Sequence, residues 1–237
     1  MNLLSILALV AASSIVEGHY IFNRLIVNGK SIGGEYAYTR KNSNSYNPAF
    51  PSELLASPDL RCNKGAKAGS VSKPYTVAAG DKLGFKLFNN EFIEHPGPGF
   101  VYMSRSPDGT AVGSYDGSGD WFKLWESGVC KGSPGQDGNW CLWQKDRIEI
   151  TVPANIPPGE YLVRVEHIGL HEAEKGRAQF YIECYELKIE GAGGGTPGPL
   201  VKIPGIYKAD DAGIKYNKWA SNPPPYVMPG PKVWDLS

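Results

Sequence analysis

The chain has 237 residues, and its 24 Lys and Arg are balanced by 24 Asp and Glu. Zero formal charge excludes the strong basic field of a nucleic-acid binder or of a protein held on an anionic membrane. Charged residues reach only 20%, while Gly and Pro number 29 and 19; this excludes a helical bundle or coiled coil and points to one loop-rich globular domain.

The first element in chain order is an apolar run from Leu3 to Val16, too short to span a bilayer as a helix. Val16-Glu17-Gly18 follows, with small residues where a signal peptidase reads them, so residues 1–18 are expected to be a secretory signal. Cleavage after Gly18 would start the mature chain at His19. Residues 19–237 are then expected to form a single domain, secreted and extracellular, with no membrane partner and no separate carbohydrate-binding module.

Residues 35–60 are polar and contain Tyr and Pro; they predict a long surface loop with at most a helical turn. Strands are predicted where apolar residues alternate. Lys82 to Phe88 puts Leu83, Phe85 and Leu87 on one face. Arg147 to Val152 does the same with Ile148, Ile150 and Val152. Tyr161 to Glu166 sets Tyr161, Val163 and Val165 on one face. Ala178 to Ile189 reads as a long strand, with Gln179, Tyr181 and Glu183 sharing one side. Ala79-Gly80-Asp81, Pro107-Asp108-Gly109 and Pro157-Pro158-Gly159 are the punctuation between runs. From Gly191 onward the chain is rich in Gly and Pro and predicts an irregular strap. Short strands punctuated in this way predict an all-β antiparallel β-sandwich with long loops.

Cys62, Cys130, Cys141 and Cys184 are even in number, and an exported chain meets an oxidising compartment. Of the three possible pairings, Cys130–Cys141 and Cys62–Cys184 are expected. No cysteine pair has the close spacing of a zinc site. The sequence contains no Asn-x-Ser/Thr sequon.

The four histidines are His19, His95, His167 and His171. An N-terminal histidine is a distinctive ligand, because its α-amine and ring nitrogen chelate one ion together. A second imidazole completes three nitrogens in one plane, which suits Cu(II). His95 lies in Glu94-His95-Pro96-Gly97-Pro98, a turn able to hold its ring rigidly.

Several segments in order resemble the fungal lytic polysaccharide monooxygenases, the cellulose-active family nine of auxiliary activities, formerly classed as glycoside hydrolase family 61. They are His19; His95-Pro96-Gly97-Pro98 with Val101-Tyr102; Asp120-Trp121-Phe122-Lys123; Arg164 through His171; Ala178-Gln179-Phe180-Tyr181 leading to Cys184; Pro204-Gly205-Ile206-Tyr207; and Tyr226-Val227-Met228-Pro229-Gly230-Pro231. The resemblance implies an immunoglobulin-like or fibronectin-III-like sandwich carrying one copper on a flat face. It implies His19 and His95 as equatorial metal ligands, Tyr181 as the axial ligand, and His171 and Gln179 as catalytic hydrogen-bonding groups. It gives no role to His167, where an apolar residue is usual. Arg164 and Glu166 would form either a polar network near the site or a solvated strand face.

The implied reaction is oxidative cleavage of β-1,4-glucan at carbon 1 or carbon 4. It uses dioxygen or hydrogen peroxide and an external electron donor, and the chain would act as a monomer. A flat substrate calls for exposed aromatic rings; Tyr226, Tyr20 and Tyr207 are the expected contacts, with Tyr38 and Tyr46 behind them. A hydrolase would need two facing carboxylates, and none stand in a recognisable setting. The alternative is a non-catalytic sandwich of the same fold: a carbohydrate-binding one would need no N-terminal His, Gln179 or Tyr181, and a copper-binding one would keep the two histidine ligands but lose the Gln179 and His171 pair.

Overall fold

A computed structural model describes residues 18–236. The expected signal sequence lies outside them, except for Gly18.

The described residues form nine strands: β1 Phe22–Val27, β2 Lys30–Ile32, β3 Tyr75–Ala78, β4 Lys82–Leu87, β5 Gly99–Arg105, β6 Phe122–Ser127, β7 Arg147–Thr151, β8 Gly159–Gly169 and β9 Gln179–Glu190. They form one four-stranded sheet, β2-β1-β4-β7, and one five-stranded sheet, β3-β9-β8-β5-β6. The sandwich is therefore the expected one. One pairing departs from the antiparallel rule: β3 runs parallel to the end of β9.

Alternating residues of the two sheets meet in the core. Leu83, Phe85, Ile148 and Ile150 come from one sheet, and Val101, Val163, Val165, Tyr181, Tyr185 and Leu187 from the other. A second core covers the outer face of the larger sheet. Phe100, Tyr102, Leu162, Phe180 and Ile182 pack there against Leu54, Leu60, Trp121, Ile203, Tyr207 and Ile214 from the loops and the strap. Long connections thus replace a solvated face. The 35–60 region contributes one short α-helix, α1, Pro51–Leu54, and a 3-10 turn, Pro58–Leu60.

Double coverage explains why Arg164 and Glu166 are not on a solvated face. Both are wholly buried, their charged groups 2.7 Å apart. Glu166 also accepts from Tyr207 Oη, and Arg164 donates to the Leu60 carbonyl. Every polar end has a partner, as burial of such a pair requires.

The disulfides join Cys62 to Cys184 and Cys130 to Cys141. The first ties the long loop to β9, and the second closes the loop after β6.

Candidate active site

His95 is held by a backbone contact that only glycine permits. The amides of Ile168 and Leu170 donate to the carbonyls of Pro98 and Pro96, so the 94–98 turn lies along the end of β8. A Cβ at Gly97 would stand 1.8 Å from the Ile168 carbonyl oxygen. Gly97 is therefore required by close approach.

A second glycine opens the site itself. Gly169 faces Gln179 across the β8–β9 ladder. A Cβ there would meet His95 Cβ at 3.1 Å, and Gln179 Cβ and His171 Nδ1 each at 3.5 Å. Three of the expected site residues thus converge on the space that Gly169 leaves. The rings of His95 and His171 stack with centroids 4.1 Å apart.

Tyr181 sits two residues along β9 from Gln179, on the same face, and its Oη donates to Gln179 Oε1 at 2.8 Å. Its ring stacks on that of Tyr20, centroids 4.1 Å apart. Tyr20 directly follows His19, which brings the His19 segment to the same cluster. His167, opposite Tyr181 in the ladder, lies beneath them and is hydrogen-bonded to Tyr20 Oη.

Burial is the main influence on these rings. It pushes His95 down to about 3, helped by the neighbouring His171 and His19 and opposed by hydrogen bonds that the ring donates to the backbone of Gly18 and Glu94. Burial likewise lowers His171. Neutral imidazoles are the form that donates a lone pair to a metal. Among the described residues no three side chains of the His, Cys, Asp and Glu types converge as a metal site. The two imidazoles, with the α-amine that a chain beginning at His19 would carry, are the donors that would fit a metal there. That set, with a tyrosine oxygen beside it, has the nitrogen chemistry of a copper site.

The expected sugar-facing tyrosines fare differently. Tyr20 is only 2% exposed and Tyr207 only 4%, so neither offers a ring to substrate. Tyr20 is taken up by the stack with Tyr181. Tyr207 is taken up by the second core, where its hydroxyl reaches Glu166 and Tyr102. Tyr226 is half-buried, edge-on to Trp140 and Tyr216, and donates to the Gly213 carbonyl. It lines a groove of about 790 Å³ with Val129, Pro223 and Met228. Tyr38 and Tyr46 are half-buried, edge-on to Tyr75 and Phe88.

The exposed ring next to the cluster is Trp219, which the sequence reading missed. It is 58% exposed, and its Nε1 donates to the His171 carbonyl at 2.9 Å. Lys218 lies over the indole, 3.6 Å from the ring centroid, and pairs with Asp137 at 2.7 Å. A tryptophan inside an irregular Pro-flanked strap has no periodic signal to mark it.

Comparison with known proteins bears on the whole arrangement. The model of Auxiliary Activity family 9 (formerly GH61) matches residues 19–226. A lytic polysaccharide monooxygenase G of that family from Aspergillus tamarii is 46% identical over 237 residues, covering 99% of this chain and 71% of the relative. The family's monooxygenase A from Aspergillus fumigatus is 45% identical, covering 98% of this chain and 81% of the relative. The crystal structure of a cellulose-active polysaccharide monooxygenase from M. thermophila superposes with a TM-score of 0.77 at 29% identity, covering 91% of this chain and 99% of that one.

Proposed function

The chain belongs to Auxiliary Activity family 9, the lytic polysaccharide monooxygenases, and from that premise we propose that it is a secreted enzyme that cleaves cellulose or a related β-1,4-glucan oxidatively at carbon 1, carbon 4 or both. Residues 19–237 act as one catalytic domain and as a monomer. The α-amine and ring of His19 and the ring of His95 would hold one copper ion, with the Tyr181 oxygen beside them. Copper bound there would supply one-electron chemistry toward dioxygen or hydrogen peroxide, driven by an external electron donor.

The remaining work belongs to the chain's own groups. Tyr181 Oη occupies Gln179 Oε1, which leaves the amide nitrogen of Gln179 as the donor available to an oxygen co-substrate. His171 Nδ1 is buried without a hydrogen-bond partner and stands beside the same space, able to hold or pass a proton. Trp219 offers a flat apolar surface on which a sugar ring would stack, orienting the glucan chain.

The observation that carries this reading is the convergence of His95, His171 and Gln179 on Gly169, with Tyr181 tied to Gln179. A merely sugar-binding sandwich has no use for that cluster.

The test is to compare protein starting at His19 with protein that retains Gly18. An extra residue turns the α-amine into an amide, a poor metal donor at neutral pH. Copper affinity by calorimetry should fall by orders of magnitude, and oxidised oligosaccharides from cellulose should vanish. The fold should persist, because the change is at a terminus. Equal affinity and equal product yield in the two forms would overturn the reading.

A further inference from the structure

We propose that His167 is a positioning residue, which through Tyr20 fixes both the Tyr181 ring and the peptide that carries His19. The proposal rests on the reading of His19 and Tyr181 as copper ligands.

The argument starts from a buried phenol. Tyr20 is 2% exposed and His167 is fully buried, with Tyr20 Oη 2.7 Å from His167 Nδ1. We assign the tautomer that carries its hydrogen on Nε2, in which the Tyr20 hydroxyl donates and Nδ1 accepts. An apolar side chain at 167 would fill the space but leave the hydroxyl without an acceptor, which a dry interior penalises.

The other ring nitrogen shows which contact the histidine serves. The ring lies near the Gly97 backbone, but His167 Nε2 makes no hydrogen bond of good geometry. The imidazole therefore carries an orphan nitrogen in the core, and its one well-made polar contact is to Tyr20.

That contact matters because of what Tyr20 touches. Its ring lies nearly parallel to Tyr181, 24° between planes and 4.1 Å between centroids. It also lies 5.7 Å from the His95 ring. The hydroxyls of the two stacked tyrosines are tied to different places, one to β8 through His167 and the other to the start of β9 through Gln179. With both ties in place neither ring can slide against the other. Releasing the Tyr20 tie frees one side of the stack and loosens the backbone that follows His19.

The test uses pairs of similar shape. Asn carries an acceptor oxygen close to where His Nδ1 sits, whereas Leu has the same bulk and no acceptor. We would prepare mature protein with His167→Asn, His167→Leu, Tyr20→Phe and Tyr181→Phe. Ring-flip rates of Tyr181 would be measured by NMR on metal-free, ring-labelled protein, and Cu(II) spectra by EPR on loaded protein. His167→Leu and Tyr20→Phe should each raise the flip rate about tenfold or more and displace the Cu(II) spectrum in the same direction. The double variant should add nothing to either single one. His167→Asn should behave as the parent. Tyr20→Phe breaks the same bond from the other side, which keeps the test open should His167→Leu fold poorly. A parental flip rate in both His167→Leu and Tyr20→Phe, or equal effects from Asn and Leu, would overturn the proposal. An unchanged Cu(II) spectrum in Tyr181→Phe would instead overturn Tyr181 as a ligand, and the metal-free flip rates would still decide the role of His167.

Discussion

Trp219 joins the surface of the protein to its candidate site through one hydrogen bond, from its indole nitrogen to the His171 carbonyl. Two functions of this residue are separable. Trp219→Ala removes ring and donor together, and Trp219→Phe removes the donor alone. Loss of a stacking ring is worth about 1 kcal/mol, or roughly fivefold in affinity. Binding of Trp219→Ala to cellulose, measured by depletion from solution, should weaken by about that factor, with Trp219→Phe close to the parent. The melting temperature should barely move in either, since the ring is exposed. Single residues were unequally legible in the sequence. His95 and Gln179 stood out because they lie in recognisable short motifs. Tyr20 and Tyr207 were misread as surface rings. Their burial depends on partners far along the chain, His167 and Glu166, which one-dimensional spacing does not reveal.

Strands whose sequence alternates polar and apolar residues were the easy elements, whether or not one face is exposed. β7 alternates buried and exposed residues, and its bounds match the alternation to within a residue. β5 gave no such signal, because six of its seven residues are buried. Both faces of β5 are covered, one by the opposite sheet and one by the strap, so its pattern has no period of two. The turn at 94–98 was legible as a rigid loop, though not the reason for its rigidity. Gly97→Ala tests that reason. The new methyl would press on backbone, which cannot rotate away as a side chain can. Overpacking of this kind costs about 1–3 kcal/mol, a fall of several degrees in melting temperature. The displaced turn should also carry His95 out of place. Copper affinity should therefore drop in folded protein at temperatures well below the melt, a result that calorimetry on the purified variant would show.

At the scale of the molecule, the two disulfides should contribute unequally. Cys62 and Cys184 are separated by 122 positions, and Cys130 and Cys141 by 11. Loop-closure entropy assigns the long bridge roughly 4–5 kcal/mol and the short one about 3 or less, where native strain does not intervene. Replacing both cysteines of the long bridge by Ser should lower the melting temperature more than replacing those of the short one, as scanning calorimetry would report. The short bridge has a local duty instead. Its loop carries Asp137, which holds Lys218 beneath Trp219, so its loss should weaken cellulose binding more than it lowers stability.

The strap has a consequence for how the chain comes to be folded. Trp234, near its far end, packs edge-on against Phe122 and belongs to the same inter-sheet core as Tyr20 and Phe22. Residues more than 200 positions apart thus seal one interior between them. Until the strap docks, the outer face of the larger sheet has only part of its cover, from Leu54, Leu60 and their neighbours. Pairings so distant along the chain close slowly. A folding intermediate whose strap has not yet docked therefore exposes an apolar sheet face that is prone to associate with other chains.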